Sequence, residues 1–492
     1  MTSNTAASRG TRGAGVTVLA QGGAMALQFA GTIVLARLLS PDAFGLLAMV
    51  TIFMGLGALI RDFGMGTASL QERTLTQAQS SNLFWVNTAL ATATAVLLAA
   101  AAPLIALMYD DPRLTGLVPV MAIVLLLSGL QTQYQARLAR DMKFTALALA
   151  TITSVGAGIA AGIAAALLGW GYWALAVQQG AAALWLLCFY LTTSRWIPSL
   201  PTRAAGSRAH LRAGSDYGLA NVLGYAADNV DRLAIGLRGG TVDLGYYDRA
   251  FQLFMQPITA IFGRLTWVVI PTINRSTEEG HGSSSMLLRV QSVLVGAAVW
   301  VLLVTAVTAD WLIPLLLGDQ WAPLVPLLQI LAIGGVFKAL SQINYWAYVV
   351  ARQPRQLLLS NLVTKPIQIL LIVGAAMLGV EWVALAYAVG RALSWPINLV
   401  WLARTAGQRS WLMLGNGMRI ILAAGIGFLG TRFMLGTVPD LADAWMVVLG
   451  TLISSITYIF VFLIYPGGFR EVRGIIGIAR QLRRRTGQAS AS

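Results

Sequence analysis

Seven ionisable residues sit inside stretches otherwise apolar enough to cross a membrane: Asp228, Asp231, Arg232, Arg264, Lys338, Lys365 and Arg391. An ionised side chain at mid-bilayer costs on the order of 2.5–3.5 kcal/mol on the insertion scale, so each needs a partner, water or a ligand. Arg232 follows Asp228 by four residues, the spacing of an ion pair within one helix. Arg264 falls nearest a helix end, where a long side chain reaches the headgroups. Lys338, Lys365 and Arg391 have no acid within about a turn on their own helices. Five cations face two carboxylates, and the surplus is the chemistry of an anion site. Phosphate and pyrophosphate are the simplest anions for such a group. We therefore expect Arg232, Lys338, Lys365, Arg391 and Arg264 to bind an anionic group. Asp228 and Asp231 are expected to serve in ion coupling or as counter-ions. Self-neutralising pairs and snorkelling chains are the competing structural account.

The elements that must position these residues are membrane helices. The chain has 492 residues, 57% hydrophobic and 11% charged, with a mean hydropathy of +0.71. A soluble domain carries about a quarter charged residues. At roughly 20 apolar residues per crossing, the spans fall near 14–36, 43–62, 82–108, 115–137, 145–168, 171–194, 216–237, 244–272, 290–314, 323–350, 357–378, 382–403, 411–434 and 443–465. The first run is too long for a signal-peptide core and reads as a membrane helix. With the N-terminus inside, 23 Lys and Arg fall in cytoplasmic segments, from Arg9 and Arg12 to Arg483, Arg484 and Arg485. The opposite side holds 4: Arg37, Arg113, Arg238 and Arg249. That asymmetry orients the chain with both ends in the cytoplasm. It also accounts for the formal charge of +15 without nucleic acid.

Short segments recur in order. Ala43-Phe44-Gly45 returns as Asp243-Leu244-Gly245, Leu117-Val118-Pro119 as Leu324-Val325-Pro326, and Ala174-Leu175-Ala176 as Ala384-Leu385-Ala386. Gly169 matches Gly379 in the same register. Offsets of 200, 207 and 210 indicate two copies of a six-helix unit, entering the membrane from the same side as in parallel-repeat transporters. The expected fold is an all-α integral membrane protein of about fourteen helices. Two parallel repeats form two lobes around a central cavity, and two helices are added at the C-terminus. The boundaries are a cytoplasmic N-terminus 1–13, a first lobe 14–194, a cytoplasmic linker 195–215, a second lobe 216–403, extra helices 411–465 and a basic tail 466–492. At positions related by the repeat, Gln131 stands for Lys338, Ala181 for Arg391 and Thr32 for Arg232. A charge the scaffold required would recur in both copies, so the second half is expected to carry the anion site.

Several functions are disfavoured. The single cysteine, Cys188, supports no disulfide framework or zinc site. His210 and His281 lie in polar connections, so a histidine-ligated metal is not expected. No phosphate-binding loop, GxSxG or HExxH motif is present, and no external loop is long enough for a catalytic domain. No catalytic residue, metal or cofactor is expected. Gly158-Ile159-Ala160-Ala161-Gly162 fits a close helix contact through small residues.

The stretch Thr32-Ile33-Val34-Leu35-Ala36-Arg37-Leu38-Leu39-Ser40-Pro41-Asp42-Ala43-Phe44-Gly45 resembles the first hairpin of the polysaccharide transporter family. So do Arg61-Asp62-Phe63-Gly64-Met65-Gly66, Asn229-Val230-Asp231-Arg232-Leu233-Ala234-Ile235-Gly236 and Leu244-Gly245-Tyr246-Tyr247-Asp248-Arg249-Ala250. These are Wzx-type flippases of the multidrug/oligosaccharidyl-lipid/polysaccharide superfamily, and the resemblance runs from about residue 14 to 466. It implies a bacterial inner-membrane protein that moves an undecaprenyl-pyrophosphate-linked oligosaccharide outward by alternating access, without ATP, for surface polysaccharide assembly. Its partners would be lipid-linked oligosaccharide, membrane lipids and polysaccharide polymerase or ligase machinery, with no nucleic acid. A cation-coupled drug exporter or a lipid II flippase of the same superfamily are the alternatives. The exporter is disfavoured by the net positive interior.

Overall fold

The computed structural model describes residues 2–62, 76–200, 224–278, 283–406, 410–438 and 441–464. His210, His281, the motif beyond Asp62, most of the 195–215 linker and the basic tail lie outside the described residues. Sixteen α-helices run through the described residues, which contain no strand. Eleven helices among them are long and apolar enough to cross a bilayer, so the chain is an all-α, multi-pass membrane protein.

Contacts divide the chain into two units, Met1–Asp248 and Arg249–Ser492. In the first, the helices are α1 (Thr2–Leu38), α2 (Pro41–Asp62), α3 (Gln77–Ala100), α4 (Ala102–Tyr109), α5 (Leu114–Arg140), α6 (Phe144–Leu167), α7 (Trp173–Ser194) and α8 (Val230–Arg238). The long α9 (Gly240–Glu278) begins there. Thr76 starts α3 with a reciprocal cap, its hydroxyl accepting from the Gln79 backbone while the Gln79 side chain accepts from the Thr76 N–H. The expected third span divides at Ala101, with Pro103 just inside α4, where a proline is tolerated because the first N–H groups of a helix have no partner.

α7 packs on α5 and α6, and α3 packs on α5. The α6–α7 contact is close because of the glycines singled out above. A Cβ on Gly158 would lie 2.7 Å from the Gln178 carbonyl oxygen, and one on Gly162 2.8 Å from the Gln178 Cβ. The start of the connection after α7 is fastened. Trp196 is buried against Phe84 and Tyr134 and donates to Gln77 Oε1 at 2.7 Å, while Trp85 donates to the Ser199 carbonyl at 2.8 Å.

The second unit holds α10 (Ser283–Val290), α11 (Gly296–Leu317), α12 (Leu324–Val350), α13 (Pro354–Ala375), α14 (Val380–Ala406), α15 (Ser410–Leu435) and α16 (Asp443–Ile464). Its pairings repeat those of the first: α14 packs on α12 and α13, and α11 packs on α12. The turns entering α7 and α14 match as well, with positive φ at both Gly169 (79°) and Gly379 (115°). The added helices α15 and α16 pack on each other and on α11.

Between α10 and α11 the helix widens to π geometry over Gln291–Val295. Gln291 and Ser292 are buried there and both reach α15. Gln291 Nε2 donates to the Met413 carbonyl at 3.1 Å, and Asn416 Nδ2 donates to Ser292 Oγ at 2.9 Å. The inserted residue lets two neighbouring polar side chains meet one helix, which resolves their burial in an apolar span.

Candidate functional site

Two clusters gather the ionisable residues that the sequence marks. In the first unit, the helix turns at Asn229 and again at Gly239, setting α8 against the start of α9. Adjacent residues of α8 then meet adjacent residues of α9. Tyr247 Oη donates to Asp231 Oδ2 at 2.6 Å, and Arg232 Nε donates to Asp248 Oδ1 at 3.0 Å. Asp231, Tyr247 and Asp248 are all buried. Arg232 also donates through Nη1 to Asn229 Oδ1 at 2.8 Å, and its backbone N–H reaches Asp231 Oδ1 at 2.9 Å. Asn229 in turn donates to the Tyr225 carbonyl, and Tyr225 to the Ile52 carbonyl on α2. Asp228 is exposed. The spacing between Asp228 and Arg232 crosses the turn at Asn229, and the guanidinium is engaged by Asp248 beyond it.

In the second unit, Lys338 on α12 and Arg391 on α14 converge through a pair of aromatic rings. The Lys338 ammonium lies 5.9 Å from the centre of the Phe251 ring, and the Arg391 guanidinium 5.2 Å from that of Tyr387. The two rings meet edge to face, with centroids 5.7 Å apart and planes at 77°. A cation over a ring face gains from the ring quadrupole, about 0.5–2 kcal/mol depending on desolvation. The close approach of α12 to α14 rests on Gly334, where a Cβ would come 2.9 Å from the Tyr387 ring. Lys365 sits on α13, three residues before Gln368, which packs against Gly390 beside Arg391. Lys338, Lys365 and Arg391 are all partly buried. Arg264 belongs to α9, and its side chain lies outside the described residues.

Two further charged groups had no part in the sequence-based site. Arg419 on α15 is buried, its guanidinium 4.4 Å from the centre of the Phe462 ring. Its position within an apolar span was the signal that could have found it. The second group joins the starts of α2 and α9. Arg113 donates from Nη1 and Nη2 to the Asp42 carboxylate at 2.6 and 2.9 Å, and from Nε and Nη2 to Asp111 at 3.0 and 2.7 Å. The Thr241 hydroxyl donates to Asp42 as well. The hydrogen bonds from Arg113 to two carboxylates raise its pKa further above the ordinary arginine range, so it stays charged at any physiological pH.

Beside this cluster, α2 and α9 cross in near backbone contact. A Cβ on Gly45 would fall on the Thr241 carbonyl, and one on Gly245 on the Pro41 carbonyl. The repeat offset of 200 carries Gly45 onto Gly245 and Pro41 onto Thr241, so it exchanges the two contacts. The crossing is therefore close to two-fold symmetric. It uses glycine because no side chain fits.

A family model described as polysaccharide biosynthesis protein matches residues 34–326. Among curated relatives, the teichuronic acid biosynthesis protein TuaB of Bacillus subtilis (strain 168) is 26% identical over 299 residues, 58% of this chain and 60% of that protein. The succinoglycan biosynthesis transport protein ExoT of Rhizobium meliloti (strain 1021) is 28% identical over 66% of this chain and 65% of that protein. The lipopolysaccharide biosynthesis protein WzxC of Escherichia coli (strain K12) is 23% identical over 62% and 63%. The matches thus span about three fifths to two thirds of these relatives. Among solved structures, the lipid II flippase MurJ in an inward closed conformation superposes with a TM-score of 0.71 at 12% identity, covering 91% of this chain and 98% of that one. A multidrug resistance MATE family transporter of the MOP superfamily in an inward-facing conformation gives 0.58 at 15% identity, over 80% and 94%. These two likenesses establish a shared fold. With more than half of its length matched by the family model, the chain belongs to the polysaccharide biosynthesis protein family.

Proposed function

We propose that this protein is a flippase for an undecaprenyl-pyrophosphate-linked oligosaccharide in the bacterial inner membrane, serving surface polysaccharide assembly. It works by alternating access rather than as an enzyme, with both termini in the cytoplasm. The observation that carries the reading is the joining of Lys338 and Arg391 through the Phe251–Tyr387 pair in the second unit. An ammonium and a guanidinium are donors from which phosphate oxygens accept strongly. Lys365, on the helix that packs against α14, is proposed as a further member of the group. A pyrophosphate carries the charge that such a cluster selects, and a cationic drug does not. The names of ExoT and WzxC, a succinoglycan biosynthesis transport protein and a lipopolysaccharide biosynthesis protein, support the same substrate class.

Arg232 and Arg264 belong to the proposed anion-handling set. Because Asp248 already meets Arg232, we place the phosphate chiefly on Lys338, Lys365 and Arg391. Asp228 and Asp231 are the proposed groups for coupling to an ion gradient. A polymerase or ligase would consume the product on the outer face.

The test is a strain lacking the gene. Lipid-linked oligosaccharide should accumulate on the cytoplasmic face and disappear from the outer face, and the wild-type chain should restore it. Lys338→Gln, Lys365→Gln and Arg391→Gln should each reach the membrane in normal amounts and fail to restore transport. Full activity in all three variants would end the proposal.

A further inference from the structure

A second binding surface lies in the second unit, on α11, α12 and α15, of which only α12 also carries a residue of the anion cluster. α11, α12 and α15 enclose a groove of about 380 Å³ with almost wholly apolar walls. Its sides include Leu302, Ile333, Phe428 and Leu429. Ile333 and Leu429 are 55% and 70% exposed, so the groove opens sideways out of the helix bundle. All three helices are among those able to cross a bilayer, so the medium at the opening is lipid hydrocarbon and not water. The groove ends in a polar group. Gln329 Nε2 donates to the Ala306 carbonyl at 3.2 Å and lies 3.4 Å from Asp310 Oδ2. Arg432 donates through Nη1 to the same carboxylate, and its guanidinium lies 5.9 Å from the centre of the Trp311 ring. Arg432 is 39% exposed. A guanidinium has five N–H donors in a planar fork suited to phosphate, and Asp310 takes one of them.

An apolar slot that opens to the bilayer and ends at Gln329, with a part-exposed arginine and a tryptophan just beyond it, has the layout of a lipid site. The chain lies in the slot and the phosphate meets the cation at the interface. We propose that this groove binds one acyl chain of a phospholipid, with the lipid phosphate on Arg432. Its volume sits at the low end of the range for small-molecule sites, about 300–1,000 Å³. That suits a single acyl chain and leaves a long polyprenyl chain largely outside. The site is separate from the anion cluster and does not depend on the flippase reading.

The test uses the full chain in liposomes doped with phosphatidylglycerol carrying a diazirine midway along one acyl chain. After irradiation, the label should concentrate on peptides of α11, α12 and α15, well above the level at Leu362 and Leu370 of α13. Gly425 lines the groove, and a Cβ there would meet nothing within 4 Å. Gly425→Leu should therefore fill the slot without disturbing the fold. Losing the contact of even two methylenes should lower labelling about tenfold, with the melting temperature and transport retained. Arg432→Gln should weaken labelling by the phospholipid and leave labelling by a diazirine alkane unchanged. Uniform labelling of all bilayer-facing helices, or labelling that survives Gly425→Leu, would overturn the proposal. Preferential labelling by a diazirine polyprenyl phosphate would do so too, by assigning the groove to the carrier.

Discussion

Gln131 and Lys338 occupy matching places in the two units, each on a helix packed against the last helix of its repeat. Gln131 Nε2 donates to the Ala183 carbonyl on α7 at 2.7 Å, so the first unit satisfies its polar group within the helix pair. In the second unit the same place carries a cation set against an aromatic ring. The packing needs only a polar side chain there, since the first unit manages with an amide. On the proposed reading, the charge in the second unit serves the anion and not the packing. Arg232 shows the opposite policy within the first unit, where a carboxylate engages the guanidinium directly. Neutralisation inside the protein builds a scaffold, whereas on the proposed reading the cations set on rings meet an anion.

The largest effect is expected where neutralisation is removed. Asp248→Ala takes from the largely enclosed Arg232 the carboxylate that its Nε meets, and such a loss costs up to about 3–5 kcal/mol. The purified variant should melt well below the wild type, and a variant of unchanged stability would show that the pair is not structural. Lys338→Gln makes the second unit resemble the first. Its melting temperature should hold, while transport falls by roughly ten- to a hundredfold, the value of one charge-assisted hydrogen bond of about 1.5–3 kcal/mol. The combination of stable protein and lost transport is the signature; a stability loss with transport retained would reverse the comparison. Tyr247→Phe takes one hydrogen bond from the buried Asp231 and should cost about 1–3 kcal/mol, read by denaturation in detergent. The smallest change is expected from Tyr387→Leu, which removes the ring beneath Arg391. It should weaken substrate affinity by about 0.5–2 kcal/mol and leave expression unaltered, as a binding titration with a pyrophosphate-bearing lipid would reveal.

The membrane helices were legible because bilayer thickness imposes a length, and the expected limits of spans such as 323–350 and 411–434 fall within a residue of α12 and α15. Repeated loop glycines were legible for a similar reason, since backbone with positive φ restricts the residue that can stand there. Partnership across helices was not. Asp231 and Arg232 could be marked as costly, but their partners lie sixteen residues away across a turn whose angle no local rule supplies. The meeting of Lys338 and Arg391 depends on Gly334 admitting the Tyr387 ring, a matter of three-dimensional packing. The crossing of α2 and α9 is a middle case. Its glycines stood in the repeat motif, but nothing in the spacing announced that each would touch the other's neighbour.

The widened turn at Gln291–Val295 has one more consequence. One residue of helix corresponds to about 100° of rotation. The wider turn takes up one extra residue, so deleting a residue there would restore an even pitch and leave α10 near its present rotation, whereas a deletion in the regular helix just before it would swing Leu287, now fully enclosed, toward the outside. A one-codon loss within the widened turn would be felt locally, whereas the same loss in the regular helix would re-aim everything upstream of it. A change of length is therefore easiest to accommodate at the widened turn and hardest in the regular helix on either side of it.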